Sequence, residues 1–367
     1  MKLVWPYHAE DEIEAAAEVL RSGRTNYWTG EQGTLFEAEF AAYTGARFAL
    51  AVSSGTTALE VAIEAMGPVG GEVIVPCRTF VATASAVYRQ GHNVVLADID
   101  GLSLNVTVET LEARRTPHTV GVVVVHYAGR PCNMAAIMEW ALKHRLWVVE
   151  DCAHAHGSRI GSQHVGTFGH AGCFSMCVGK TMSTGGEGGM IITDSAALLR
   201  RMTAVRDHGR YQMAGSRDAR DLSTFKYTVE VFGSNTRMTE MQAAIGRRQL
   251  KKLDGWVARR REIGALYDKT FCDNIYSPSP VIVAGMSPYM YLLPVKEYVR
   301  DHLLRLVDKG VRFGGCPNIG VEPAFRGKAA YCPTADVVSV VSLPIYPTMS
   351  DADVAEVIDA VGKEKGI

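Results

Sequence analysis

Residues 48–100 read FALAVSSGTTALEVAIEAMGPVGGEVIVPCRTFVATASAVYRQGHNVVLADID, and the alternation of short apolar runs with helix-spaced segments in this stretch decides the fold class. FALAV (48–52) is a strand-length run followed by small residues, TTALEVAIEAM (56–66) has the spacing of a buried helix, and EVIVP (72–76) is a second strand closed by Pro76. FVATASAVYRQG (80–91) and NVVLADID (93–100) repeat the helix and the strand. The rhythm continues through a helix at VETLEARR (108–115), a strand within VGVVVVHYAG (120–129), a helix at NMAAIMEWALKHR (133–145) and a strand at LWVVED (146–151). Strands that are apolar throughout, joined by helices, predict an α/β fold with a largely parallel sheet covered on both faces.

Outward from this core, EDEIEAAAEVL (10–20) and GTLFEAEFAAYTG (33–45) have helical spacing, and the second ends on a glycine that stops a helix. Beyond Asp151 come a Gly-rich, His-containing loop, short strands around GCFSMC (172–177) and GGMIITD (188–194), and a helix from Ser195 to about Arg206. Residues 239–271 hold few helix breakers and predict one long helix leading out of the first domain. A smaller α+β region follows, with a strand at MYLLPVK (290–296), a helix at VRDHLLRLVDKG (299–310) and a last helix, SDADVAEVIDAVGKE (350–364), capped by Ser350. We expect a large domain over residues 1–250 and a small C-terminal domain over 251–367, a division in keeping with a chain of 367 residues.

Composition excludes several function classes. With 47% hydrophobic and 21% charged residues the chain buries a sizeable core, unlike a disordered protein. Lys plus Arg number 38 against 39 Asp plus Glu, so no basic excess points to nucleic acid or an anionic membrane. The opening MKLVWPYHAEDEIEA lacks the apolar core of a signal peptide, and no apolar run approaches the ~20 residues of a membrane helix. We expect a cytoplasmic protein whose eight dispersed cysteines, none in a CxxC pair, are reduced core thiols with no disulfide framework and no structural zinc.

Ligands of open α/β sheets sit at the carboxyl ends of the strands, which directs attention to Ser53–Thr57, Pro76–Phe80, Asp151–Gly157 and Ser175–Gly189. SSGTT (53–57) suits a phosphate, because Gly55 allows close backbone approach and Thr56 and Thr57 lie at the positive end of a helix; the same residues are ordinary helix caps. Asp151 ends its strand where a buried carboxylate needs a cation or several donors, and the two-residue period turns Glu150 to the other face; a solvated strand-end acid is the alternative. Lys180, flanked by Gly179 and followed by glycines at 185, 186, 188 and 189, has the setting of an amine nucleophile, and no GxxxxGK[ST] precedes it to make it a phosphate-loop lysine. Cys152, His154 and His156 share a face of an extended segment, but no fourth ligand accompanies them and they fit a cofactor loop better than a metal site. Cys173 and Cys177 share a strand face and read as core. Trp28 and Tyr27 form either an active-site lip or a packing anchor, and Arg237 either meets a substrate anion or completes an internal ion pair.

A phosphate loop, a strand-end aspartate and a downstream lysine together are what pyridoxal phosphate (PLP) requires. In FEAEFAAYTGARFALAVSSGTTALEVAI (36–63), EVIVPCRTFVATASAV (72–87), VVEDCAHAHGS (148–158), FSMCVGKTMSTGGEGG (174–189), NTRMTEMQAAIGRRQL (235–250) and LPIYPTMSDADV (343–354) the chain resembles the DegT/DnrJ/EryC1/StrS sugar aminotransferases. The resemblance implies a fold type I PLP-dependent transferase with a mostly parallel seven-stranded sheet between helices. Lys180 then matches the lysine of the internal aldimine and the proton shuttle, Asp151 the partner of the pyridinium nitrogen, and Phe80 the aromatic stacked on the ring. Gly55, Thr56 and Ser175 match phosphate ligands, His154 a cofactor contact, and Asn235 an asparagine reaching the phosphate of a neighbouring subunit, hence a homodimer with shared sites. Trp28 and Arg237 are candidate substrate contacts, and no metal is implied. The implied reaction moves an amino group from glutamate or glutamine through pyridoxamine phosphate to a keto-sugar, commonly nucleotide-linked, for a surface polysaccharide or natural product. Alternatives are a cyclitol or aminohydroxybenzoate aminotransferase and a non-catalytic PLP-binding regulator, while the sugar dehydratases of the family carry histidine where this chain has Lys180.

Overall fold

The computed structural model describes residues 5–212, 227–271, 281–295, 300–301, 303–313, 318–325, 332–337 and 339–363. Its centre is a seven-stranded sheet of β1 (Phe48–Val52), β2 (Glu72–Pro76), β3 (Asn93–Ala97), β4 (Thr119–Val125), β5 (Trp147–Asp151), β8 (Ala171–Ser175) and β9 (Gly189–Thr193). The spatial order is β1-β9-β8-β5-β4-β2-β3, with every pairing from β8 to β3 parallel and β9 antiparallel to both its neighbours. Two short hairpins, β6 (Arg159–Ile160) with β7 (Gln163–His164) and β10 (Arg210–Gln212) with β11 (Tyr227–Val229), lie outside this sheet.

The expected helices form as the spacing dictates. They are α1 (Glu10–Ser22), α2 (Gln32–Thr44), α3 (Gly55–Met66), α4 (Ala82–Arg89), α5 (Val108–Glu112), α6 (Met134–His144), α7 (Ala196–Arg206) and α8 (Glu240–Phe271). Gly45 stops α2 at φ 79°, a left-handed conformation that a Cβ would strain. At the other end of α2, the Glu240 carboxylate that opens α8 accepts the N–H groups of Gln32 (2.5 Å) and Gly33 (3.0 Å), so a negative charge meets the helix's positive end. Phe36 and Phe40 of α2 pack with Phe174, Met176, Met190 and the Leu250–Leu253 face of α8 on one side of the sheet. Removing such a ring costs about 3–5 kcal/mol.

The 32 residues of α8 run straight through position 250, and their last turns bury Ile263, Tyr267 and Phe271 in a second apolar cluster. That cluster also covers the three-stranded sheet β12 (Tyr291–Pro294), β14 (Val340–Leu343) and β13 (Arg312–Phe313), in the order β12-β14-β13. The final helix spans Asp351–Lys363, and Ser350 caps it as expected, its hydroxyl accepting from the Asp353 N–H at 3.2 Å. Of the helix expected over 299–310, residues 300, 301 and 303 are helical and Leu306–Lys309 forms a 3-10 turn, while residues 296–299 and 302 lie outside the described set. No helix of the described residues is long and apolar enough to cross a membrane.

Candidate active site

The parallel strands deliver their following loops to one edge of the sheet, where a cavity of about 440 Å³ opens. Gly55, Thr56, Phe80, Asp151, His154, Ser175 and Lys180, drawn from all four loops singled out in the sequence, line it together. Trp28, Asn235 and Arg237 are not among its lining residues.

Helix α3 starts at Gly55, with Ser54 as its cap accepting the Thr57 N–H at 3.1 Å. Gly55 and Thr56 occupy the first turn, where backbone N–H groups have no intrahelical acceptor, and both line the cavity together with Ser175. A Cβ on residue 55 would stand 2.4 Å from the Ser175 Cβ, so only glycine permits this approach of loop to strand end. The result is a cradle for an anion of phosphate size.

Asp151 closes β5 and is 5% exposed. Its Oδ1 accepts the Ala153 N–H (3.1 Å) and its Oδ2 the Thr83 hydroxyl (2.8 Å), which in turn meets Thr79 Oγ1 (2.8 Å). Burial pushes the Asp151 carboxyl up from its ordinary range, against the pull of those donors and of Lys180. A buried acid in that state gains from a cationic N–H donor brought by a ligand.

Lys180 sits in the turn after β8, in a loop pinned back on itself by Met176 N–H to Gly188 O and Val178 N–H to Gly186 O, both 2.8 Å. Its Nζ lies 4.7 Å from the centre of the Tyr289 ring, and that ring stacks on His154 at 4.4 Å and 23°. His154 is buried, and burial with the nearby Lys180 charge drives its pKa well below the usual value, so it is neutral. The Ala128 N–H points at its Nδ1 (3.4 Å), which leaves the proton on Nε2. Behind these groups stands Arg260 of α8, 1% exposed, which donates to the Tyr289 carbonyl at 3.1 Å and lies 5.1 Å from the Trp5 ring. The Trp5 indole N–H reaches the Lys180 carbonyl at 3.0 Å. Burial lowers the Arg260 pKa to about 10, leaving it charged at neutral pH.

Sequence reasoning missed Tyr289, Met290 and Arg260. They arrive from the far end of the chain, and only the composition around them, SPYMYLL within 287–293, hinted at aromatic packing. Phe80 is where it was sought, lining the cavity at 61% exposure. Arg237 adopts the internal ion pair of its two open roles, reaching the Asp207 carboxylate that also binds Arg210 at 2.5 Å. Trp28 packs edge-on against Tyr27 (5.9 Å) with the Arg210 guanidinium over its ring (5.6 Å). Asn235 pairs with Asp207 in an isolated bridge beside the segment that follows β1.

The Cys152, His154 and His156 trio separates, because the chain turns there instead of staying extended. Cys152 meets His126 and Glu150, His154 faces the cavity, and His156 packs on Phe174 at 5.4 Å. Cys173 is core as expected, whereas Cys177 is half-buried and lines the cavity, because β8 ends at Ser175 and the chain has left the sheet. Cys272 and Cys316 lie outside the described residues.

The chain as a whole has known relatives. The family model for the DegT/DnrJ/EryC1/StrS aminotransferase family matches residues 6–362. The chain is 35% identical over 374 residues to the spore coat polysaccharide biosynthesis protein SpsC of Bacillus subtilis, covering 97% of this chain and 95% of that one. It is 33% identical over 340 residues to the UDP-N-acetyl-3-dehydro-alpha-D-glucosamine 3-aminotransferase of Acidithiobacillus ferrooxidans, covering 90% and 88% respectively. The X-ray structure of the aminotransferase from Psychrobacter cryohalolentis superposes with a TM-score of 0.91 at 35% identity, covering 99% of this chain and 98% of that one. The chain therefore belongs to the DegT/DnrJ/EryC1/StrS family, as an aminotransferase with the PLP-dependent fold type I architecture.

Proposed function

We propose that this enzyme holds PLP in the cavity of Lys180 and moves an amino group from glutamate or glutamine to a keto-sugar, a nucleotide-linked one in the first instance. The observation that carries the reading is that an amine, a buried carboxylate and a helix-start anion cradle converge on one cavity. PLP supplies a protonated ring that withdraws electrons from the bond to be broken.

The chain's own groups do the rest. The amides of Gly55 and Thr56 and the Ser175 hydroxyl take the phosphate, and the Asp151 carboxylate takes the ring N–H and keeps it protonated. Phe80 would pack on the ring, and His154 would offer its Nε2 hydrogen to the cofactor. Lys180 Nζ would hold the cofactor covalently and, once freed by the donor amine, would carry the proton between the donor's α-carbon and the adjacent position. In the second half-reaction it moves the proton in reverse onto the sugar carbon. Tyr289 holds the ammonium form of Lys180 against its ring face, which keeps the proton carrier beside the reacting atoms.

We place the reaction in the cytoplasm, in amino-sugar synthesis for a surface polysaccharide or natural product, a role supported by the name of the Bacillus relative. A homodimer with shared active sites, in which Asn235 reaches the partner's phosphate, accounts for that residue's position away from its own cavity.

The test is the visible absorption of the PLP-loaded protein, followed on addition of glutamate or glutamine. We expect a lysine-dependent band that bleaches with one donor and returns with a suitable keto-sugar, and Lys180→Ala binds cofactor without the band. A wild-type band that no amino donor bleaches would overturn the transamination reading.

A further inference from the structure

Away from the active-site cavity, the fold brings together two thiols and a carboxylate that are far apart in sequence. Cys77 follows β2, Asp98 follows β3, and Cys332 precedes the short helix Pro333–Val337. The Sγ atoms of Cys77 and Cys332 and a carboxylate oxygen of Asp98 all lie within 4.8 Å of one another. Cys77 Sγ stands 3.9 Å from Asp98 Oδ1, and both cysteines are buried. Asp98 is held in place by the backbone, its Oδ2 accepting the Thr334 N–H (3.0 Å) and its Oδ1 the Ala335 N–H (3.1 Å).

We propose that Cys77, Cys332 and Asp98 form a binding site for a thiophilic divalent cation, zinc in the first instance, that fastens the 332–335 segment to the ends of β2 and β3. Two thiolates and a carboxylate oxygen form a zinc donor set. Zinc bonds of about 2.3 Å to sulfur and about 2.0–2.2 Å to oxygen set donor atoms roughly 3.5–3.8 Å apart across a tetrahedral edge, so side-chain movements of up to about 1.3 Å close the cage. The two amides on Asp98 are the outer partners that orient a ligating carboxylate, and each oxygen keeps a second lone pair for the ion. Asp98 is half-buried, so water completes the fourth position.

The rival use of a paired cysteine is a redox switch, and the surroundings oppose it. Both thiols are buried, whereas redox-sensing cysteines are solvent-accessible. A dication drawn to the two thiols and the carboxylate releases the thiol protons on binding.

The site is placed to affect the active site. Cys77 directly precedes Arg78, Thr79 and Phe80, of which Thr79 and Phe80 line the cavity, and the Cys77 carbonyl accepts the Ile319 N–H at 2.8 Å. Metal binding would thus fix the C-terminal segments against the loop that carries Phe80.

The experiment is zinc analysis of the PLP-loaded protein, prepared under reducing conditions, stripped with a chelator, reloaded with zinc alone and dialysed. We expect one zinc per chain and a thermal midpoint raised by the metal. Cys332→Ser and Asp98→Asn should each weaken retention, the first by more than the roughly 10–100-fold that loss of an outer partner costs. Cys152→Ser, in the buried His126–Glu150–Cys152 group, should retain zinc like the wild type. Retention by wild type no greater than by Cys332→Ser, or a Cys77–Cys332 disulfide found by thiol counting in the unreduced protein, would overturn the proposal. Neither readout depends on turnover, so its failure is separate from failure of the aminotransferase reading.

Discussion

Glu150 and Asp151 are adjacent acids on β5 that face opposite sides of the same sheet, and their surroundings differ in kind. Glu150 is fully buried, and its carboxylate accepts the N–H groups of Gly166 (2.8 Å), Phe168 (2.8 Å) and Gly169 (2.6 Å) and meets His126 Nε2 at 2.9 Å. Asp151 receives two donors and then opens onto the cavity. A carboxylate whose oxygens are all engaged stabilises the loop around it. One left short of donors retains binding capacity that a ligand can use. Two acids one residue apart are thus divided between architecture and chemistry by the strand's two-residue period.

Each acid can be tested against the other. The largest effect belongs to Asp151→Asn, which removes the carboxylate proposed to pair with the ring nitrogen; we expect kcat to fall by about 10³ while the thermal midpoint holds or rises, since a buried acid becomes neutral. A large drop in stability with activity retained would reverse the roles assigned to the two residues. Glu150→Gln should do the opposite, losing about 3 kcal/mol because an amide nitrogen is set against backbone N–H donors, as measured by urea unfolding. Activity per folded molecule should remain near wild type.

The smallest effect per residue comes from the buried histidines between β5 and β8. Burial lowers His156 to about 3 and His164 to about 4, and takes His154 well below its usual value. Their folded-state values lie below the unfolded one, so as pH falls from about 6.5 toward 4 the unfolded chain takes up protons that the folded chain refuses. Stability is therefore intact above that window and declines within it, by about 1.4 kcal/mol per pH unit for each histidine. Urea midpoints from pH 7 to pH 5 measure this slope, and His164→Gln should reduce it by one proton's share. An unchanged midpoint across that range would mean these groups titrate in the folded state.

Much of this was legible in the chain itself. The apolar runs of 48–151 marked the parallel strands because a strand buried on both faces has no polar alternation to hide it. That Lys180, Asp151 and the 53–57 loop would line one cavity was legible because the loops after parallel strands gather at one edge of the sheet. Glu150 illustrates the limit: periodicity turned it away from Asp151, yet nothing local showed that Gly166, Phe168 and Gly169 would aim three amides at it.

Residue order alone determined most of the element order and the loops that bring Lys180 and Asp151 to one cavity, since these follow from periodicity and from residue chemistry at short range. The tertiary structure alone decided that Tyr289 lies against Lys180, that Arg260 and Trp5 support that pair, that Arg237 spends its charge on Asp207, and that Cys77 meets Cys332 beside Asp98. The physical reason is distance along the chain: contacts between residues from about thirty to more than two hundred positions apart depend on how packed layers align, and that alignment is fixed by the whole core together, leaving no mark in any local stretch.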